Sequence, residues 1–177
     1  INDGYGNFEH DLNRIPKINA NGCVVRPIDY DLDGDIDLFI GGHNKPGAYP
    51  LADKSYLLNN NNGYFEDLTN DVLPNLGQFG LVTDAQWADL NKDGREDLIL
   101  VGEYSPIAIF INLNNGFQRL SSETLDEATG LWRSLEVVDF DDDGDLDILL
   151  GNLGENNMLF ISPESPLIIS TRDLDKN

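Results

Sequence analysis

Short apolar runs alternate with polar, acidic segments along the chain, and three of these runs share one design. They read DLFIGG from residue 37, DLILVG from residue 97 and DILLG from residue 147. Each begins with an aspartate and ends in glycine, and each has the length of a strand rather than of a typical helix. Strong helical periodicity is absent from the rest of the sequence. The pattern therefore predicts an all-β protein.

Each of these runs belongs to a larger repeat of four predicted strands. The predicted first strands are CVVRPI, DAQWA and RSLEVV, and the predicted third strands are SYLLN, AIFIN and NMLFI. The fourth strands lie near YFEDL, GFQRL and PLIIS, and the first two of these follow Asn-Gly pairs that are typical of hairpin turns. Four-stranded antiparallel units repeated at this length indicate the blades of a β-propeller.

The repeat predicts how residues 1–177 are organised. The predicted units are the end of a preceding blade at 1–18 and three blades at 20–70, 78–125 and 130–172. An insertion at His43–Lys54 lengthens the first blade. Propellers usually close with about four to eight blades, and three blades would leave exposed edges. We therefore expect a segment of a larger propeller, completed by other propeller blades or by another copy of the chain.

An acidic loop with the pattern D-x-[DN]-x-D-G-x-x-D lies between the first and second strand of each repeat. Oxygen ligands at alternating positions suit a hard cation, and calcium takes about 6–8 oxygens in flexible geometry. The glycine permits the sharp turn around the ion, and the seventh residue is expected to offer its backbone carbonyl. The predicted ligands are Asp29, Asp31, Asp33, Asp35 and Asp37; Asp89, Asn91, Asp93, Arg95 and Asp97; and Asp139, Asp141, Asp143, Asp145 and Asp147.

The alternative interpretation of these loops is an EF-hand, and the twelfth position argues against it. An EF-hand places a bidentate glutamate there, between two helices. This chain has Ile40, Leu100 and Leu150 at that position, each inside a predicted strand. The ninth-position aspartate therefore closes a shorter loop within a β-hairpin.

Three such loops in register, each followed by an apolar strand and glycine, resemble the FG-GAP/VCBS repeats of integrin α-like β-propellers. The pair Phe79-Gly80 precedes the second loop, and the resemblance covers nearly the whole chain. It implies a calcium-stabilised propeller with about three ions, one in the loop between the first two strands of each blade. It also implies that calcium is structural and that the protein is secreted, because millimolar extracellular calcium keeps modest sites filled.

Charge and composition narrow the class of partner. The net charge is −21, from 32 acidic and 11 basic residues, and nucleic acids and anionic membrane surfaces both require positive patches. No apolar run approaches the ~18 residues of a membrane span. The single cysteine, Cys23, excludes an internal disulfide and is expected to be a small buried residue near a strand. We expect the protein to be extracellular, on the cell surface or periplasmic, and we expect the chain to be a mature or excised piece.

The resemblance also implies a face opposite the calcium loops, formed by the turns after each second strand and before each first strand. Tyr, Trp and Arg are enriched at binding hot spots, and the aromatic side chains can stack on sugar rings. The candidate partner face contains His43, Lys45, Tyr49, Glu103, Tyr104, Trp132, Arg133 and Glu155. Trp87 lies just before the second loop and is predicted to pack between blades instead.

These patterns favour a recognition module for a protein or a glycan over an enzyme. Only two histidines are present, and no G-x-S-x-G, P-loop or G-x-G-x-x-G motif occurs. Two alternatives stay open: a segment of a polysaccharide-active propeller, such as a lyase or glycosidase, and a pure structural scaffold. Carboxylate pairs are abundant, but the calcium loops account for most of them.

Overall fold

A computed structural model describes residues 1–154 of the chain, and its regular secondary structure is mainly antiparallel strand. The strands are β1 (Gly22–Ile28), β2 (Asp37–Gly42), β3 (Tyr56–Asn61), β4 (Tyr64–Asp67), β5 (Leu81–Ala88), β6 (Asp97–Ser105), β7 (Ala108–Leu113), β8 (Gly116–Leu120), β9 (Gly130–Val138) and β10 (Asp147–Asn152). Two short α-helices, α1 (Thr69–Val72) and α2 (Glu123–Glu127), and a 3₁₀ helix at Leu76–Gln78 lie in the connections between blades. The predicted all-β class is confirmed.

The strands form three successive blades. The first blade is the antiparallel sheet β1-β2-β3-β4, and the second is β5-β6-β7-β8 in the same order. The third blade begins with the β9-β10 hairpin. The third and fourth strands predicted for it lie outside the described residues. The last residues of β6 also pair with β9, where Glu103 faces Leu131 and Ser105 faces Gly130, so the second and third blades share one continuous sheet.

The hydrophobic core consists of two layers, each enclosed between neighbouring blades. Strand β6 contributes to both layers, because its side chains alternate between its two faces. Leu98 and Leu100 pack in the first layer against Phe39 of the first blade. Ile99 and Val101 pack in the second layer with residues of the third blade. The middle blade is thus apolar on both faces, and burial of both faces holds the three blades together.

Trp87 lies in the first core layer, as predicted. Its ring stands edge-on to Phe39 of the first blade, with ring centroids 6.4 Å apart. It also contacts Phe117 of the second blade, with ring centroids 5.9 Å apart. Offset and edge-to-face aromatic pairs of this kind add to the stability that their buried area provides.

A β-bulge recurs at the same place in the first strand of each blade. The extra residues are Cys23, Thr83 and Arg133, six residues before each acidic loop begins. The bulge explains why the prediction for Cys23 was wrong: this residue is exposed. An inserted residue interrupts the alternation of inward and outward side chains, so the position no longer follows the pattern of its strand.

Side chains of the first strands bridge neighbouring blades. Arg26 donates from Nε to the carbonyl oxygen of Ala85 at 2.6 Å and pairs through Nη2 with Asp84 Oδ1 at 2.6 Å. The equivalent residue of the second blade, Gln86, donates to the carbonyl oxygen of Leu135 at 3.2 Å. These polar contacts align the first strands side by side at one edge of the core.

Candidate metal centres and a second polar cluster

The three acidic loops fold in the same way, around the carboxylate of their first aspartate. Asp29 accepts two backbone hydrogen bonds, from Asp33 N at 3.1 Å and from Gly34 N at 3.0 Å. The same pairs recur at Asp89 with distances of 3.0 and 2.8 Å, and at Asp139 with distances of 3.1 and 2.9 Å. The carboxylate of the first aspartate therefore holds the following turn in place through these hydrogen bonds.

Two residues of each loop adopt left-handed backbone conformations. The sixth position is glycine, with φ of +94° at Gly34, which needs no further explanation because glycine has no Cβ. The fourth position is not glycine, and this conformation costs an ordinary residue roughly 1–2 kcal/mol. The fourth-position residues are Leu32 at +62°, Lys92 at +60° and Asp142 at +60°. The recurrence of this conformation with three unrelated side chains indicates that the loop geometry is imposed by its aspartates.

In the first and third loops the structure brings three carboxylates together. Asp29, Asp31 and Asp37 each contribute one carboxylate oxygen, and these three oxygens lie within 4.8 Å of one another. The third loop gathers an equivalent set, and the second loop has Asn91 between its outer aspartates. The equivalent residues are Asp139, Asp141 and Asp147 in the third loop and Asp89, Asn91 and Asp97 in the second. This all-oxygen donor set is the type that calcium prefers.

The ninth-position aspartates of the first two loops are completely buried. Asp37 accepts hydrogen bonds from Tyr30 N at 3.2 Å and Asn60 N at 2.7 Å, and Asp97 accepts the equivalent bonds from Leu90 N and Asn112 N. Burial raises the pKa of Asp37 to about 6 and also raises the pKa of Asp97. A bound cation would compensate this desolvated negative charge, so the buried carboxylates fit a metal site.

The remaining predicted ligands make other hydrogen bonds in the described geometry, and their roles as ligands stay predictions. The Asp33 carboxylate accepts the N–H of Asp35 at 2.8 Å and lies outside the group of three oxygens, and Asp93 and Asp143 accept equivalent bonds. The seventh-position side chains bond to groups outside their own loops. Asp35 accepts the N–H of Asn62, Arg95 donates to Asn114, and Asp145 pairs with Lys92. Their role as carbonyl ligands stays a prediction.

Asparagines of the third strands also reach the loops, and sequence reasoning missed them. Asn59 donates from Nδ2 to Asp31 Oδ2 at 3.0 Å. Asn60 and Asn112 donate their backbone N–H to Asp37 and Asp97, respectively. The available signal was the asparagine that ends AIFIN and the run of asparagines that begins at the end of SYLLN.

A second polar cluster joins all three blades around Glu103. Glu103 lies at the end of β6 and is 4% exposed. Its Oε2 accepts the hydroxyl of Tyr49 at 2.7 Å, and its Oε1 pairs with Arg133 Nη1 at 2.5 Å and lies 3.7 Å from His43 Nε2. The hydroxyls of Tyr49 and Tyr104 are 2.8 Å apart. We call these five residues, His43, Tyr49, Glu103, Tyr104 and Arg133, the Glu103 cluster.

Five of the eight residues of the candidate partner face form the Glu103 cluster, and Trp132 does not belong to it. Trp132 donates its indole N–H to the carbonyl oxygen of Ala128 at 3.0 Å and packs against the second core layer. Tyr49 is half exposed, and Tyr104 holds a left-handed backbone with φ of +55°. Burial, with the hydrogen bonds to Tyr104 and Glu103, raises the pKa of the Tyr49 hydroxyl, so it remains a donor at neutral pH. Glu155 lies outside the described residues.

Four-stranded antiparallel sheets packed face to face, each with an acidic loop between its first two strands, define a segment of a β-propeller. The chain belongs to the FG-GAP-like repeat family, whose model matches residues 29–100 and 89–150. Such repeats form propeller blades, often bind calcium and are typically extracellular. None of the curated proteins matches this chain. No helix within residues 1–154 is both long and apolar enough to cross a bilayer.

Proposed function

We propose that this chain is a calcium-stabilised β-propeller module that recognises a protein or a glycan outside the cytoplasm. The observation that carries the calcium assignment is the convergence of carboxylate oxygens from Asp29, Asp31 and Asp37, repeated in the third loop. About three ions are expected, one for each loop. The surrounding carboxylates would otherwise repel one another at this density of charge.

The calcium is structural in this proposal. Each set of ligands comes from one continuous turn between two strands, and no catalytic motif accompanies it in the sequence. An ion that binds the folded loop better than the unfolded chain stabilises the fold by mass action, by about 2.7 kcal/mol at a concentration of 100 times its dissociation constant. Millimolar calcium outside the cell would keep the loops filled.

The Glu103 cluster is the proposed recognition surface. Its buried carboxylate fixes the direction of the Arg133 guanidinium and the Tyr49 hydroxyl, so neither group has to be ordered when a partner binds. The exposed ring of Tyr49 offers a flat apolar surface beside these polar groups, a combination suited to a sugar or to a protein hot spot. Nucleic acid and membrane insertion are not proposed, in keeping with the charge of −21.

We also propose that a further propeller blade covers the free face of the third blade. Phe140, the second residue of its loop, is 71% exposed, whereas the equivalent Tyr30 packs on the second blade and Leu90 packs in the layer shared with the third blade. Leu149 is likewise exposed, whereas the equivalent Ile99 is fully buried. The apolar positions that form the contacts between the described blades thus recur, exposed, on the third blade, which supports the proposal. Self-association of the protein would identify another copy of the chain as the source of the covering blade.

The calcium assignment is tested by thermal unfolding with EDTA and with millimolar calcium, combined with calorimetric counting of bound ions. We expect about three ions per chain and a large rise in melting temperature. An unchanged melting temperature with no bound calcium would overturn the proposal.

The recognition assignment needs a separate experiment. Capture of polysaccharides or extracellular proteins by the intact chain, abolished by Tyr49→Ala, would support the module. New reducing ends or unsaturated products would instead identify a lyase or glycosidase. Absence of both capture and turnover would favour a structural scaffold.

A further inference from the structure

We infer that Asn112 couples the first two calcium loops, so that filling one loop raises the affinity of the other. This inference rests on the calcium binding proposed above. Asn112 lies on β7 of the second blade and is 2% exposed. Its backbone N–H donates to Asp97 Oδ1 at 2.8 Å, and its side-chain Nδ2 donates to the carbonyl oxygen of Tyr30 at 2.8 Å. One buried residue therefore contacts a ligand of the second loop and the backbone of the first.

The connection continues inside the first loop. The N–H of Tyr30 donates to Asp37 Oδ2 at 3.2 Å. The ring of Tyr30 is held against Phe117 of the second blade, with centroids 5.9 Å apart, so this residue cannot shift without disturbing the blade interface. Asp37 and Asp97, both completely buried, are thus joined by two intervening residues, Tyr30 and Asn112.

Ordering of these shared groups explains the expected coupling. An ion in the second loop holds Asp97 in one orientation and thereby fixes Asn112. The fixed amide of Asn112 then holds the carbonyl of Tyr30, whose N–H faces Asp37. An ion that arrives afterwards in the first loop finds these groups already ordered and binds more tightly. Thermodynamic linkage requires the same factor in the opposite direction.

The first blade supplies a matched control residue, Asn60. Its backbone N–H donates to Asp37 Oδ1 at 2.7 Å, as that of Asn112 does to Asp97. Its side chain bonds to the carbonyl oxygen of Ile36 at 2.9 Å and to the N–H of Gly63 at 2.7 Å. Within residues 1–154 its hydrogen bonds stay in its own blade. Asn60 therefore supports one loop without a bridge to a second loop.

Calcium titration of the full chain, followed by NMR, tests the coupling. The amides of Gly34 and Gly94 report the first and second loops separately, because each donates to the first aspartate of its own loop. Asp33→Asn weakens the first loop while it retains a side-chain acceptor for the backbone. The first loop of the unaltered chain is expected to fill before the second, so we expect Asp33→Asn to lower the calcium affinity reported by Gly94 at least about fivefold. The same substitution should have no effect on Gly94 in an Asn112→Ala background.

An Asn60→Ala background serves as the control, and three results would contradict the inference. An Asn60→Ala chain should keep the fivefold dependence, whatever happens to the absolute affinity of its first loop. Equal dependence in Asn112→Ala and in the unaltered chain would overturn the role of Asn112. Independent filling of the loops in the unaltered chain would overturn the coupling itself. Absence of any calcium shift at Gly34, Gly94 and Gly144 would overturn the proposed function as well.

A second measurement avoids substitution of Asn112, in case that variant does not fold. In an Asp33→Asn chain the first loop is weakened, and calcium fills the second loop first. We expect the amide resonance of Tyr30 to shift in step with that of Gly94, because Asn112 transmits the change. A Tyr30 amide that stays fixed while Gly94 shifts would overturn the inference.

Discussion

The hydroxyl of Tyr49 donates to the carboxylate of Glu103 at 2.7 Å, across the boundary between the first two blades. Tyr49 belongs to the insertion that lengthens the first blade, and Glu103 is buried at the end of β6. Arg133 of the third blade pairs with the same carboxylate. The insertion is therefore fixed to both neighbouring blades through one acidic side chain.

Glu103→Gln should destabilise the protein by about 1–3 kcal/mol, the usual range for loss of a hydrogen bond to a charged group. Glutamine can still accept from Tyr49, but it cannot form an ion pair with Arg133. Urea unfolding measures the change. Glu123→Gln, which removes one negative charge from an exposed helix position, is the control and should shift stability by no more than about 0.5 kcal/mol. Equal effects of the two substitutions would show that the Glu103 cluster contributes nothing to stability.

Tyr30→Ala and Phe140→Ala should differ sharply, although both residues occupy the second position of an acidic loop. Tyr30 is buried against Phe117, and truncation of a buried aromatic side chain costs about 3–5 kcal/mol. Phe140 has no such cover, so its truncation should change stability by less than about 0.5 kcal/mol. Unfolding in EDTA separates these packing effects from calcium binding. A large loss in Phe140→Ala would mean that the face of the third blade is already covered.

The second loop should bind calcium most weakly, because it carries Asn91 where the other two loops have aspartate and adds Lys92 and Arg95. Ligand charge is one determinant of calcium affinity. Asn91→Asp should therefore strengthen binding at the Gly94 amide and leave binding at Gly144 nearly unchanged. An unaltered chain in which Gly94 saturates at the lowest calcium concentration would contradict this ranking.

Gly34→Ala should weaken the first loop through its backbone alone. A Cβ at Gly34 would meet no atom within 4 Å, yet φ is +94°, a conformation that alanine adopts only with strain. We expect a loss of about 1–2 kcal/mol in stability, with reduced calcium affinity. Gly77→Ala is the control, because its added Cβ is equally free and its backbone is not left-handed. A Gly34 variant as stable as the Gly77 variant would show that the turn tolerates a side chain.

The sequence predicted the features that depend on local pattern. The boundaries of β2 and β8 agree with the predicted strands DLFIGG and GFQRL, and Trp87 packs between blades as expected. The loops were found because their aspartates are spaced along one turn. Features that depend on neighbouring blades were not predicted: nothing local distinguishes the buried Tyr30 from the exposed Phe140.

Two further features of the structure also could not be predicted from the local sequence pattern. The bulge at Cys23 inserts a residue whose presence the alternation of the strand does not reveal. The bridge from Asn112 to Tyr30 joins residues that are far apart in sequence, and only the packing of two blades brings them together.

Burial of both faces of β6 has a consequence for how the molecule loses its structure. The middle blade has no core of its own, since each of its apolar layers is completed by a different neighbour. Stability in such an array is a sum of nearest-neighbour terms, as in a one-dimensional lattice. Melting should therefore begin at an end of the array and travel inward. Amide hydrogens of β6 should be the last to exchange with solvent.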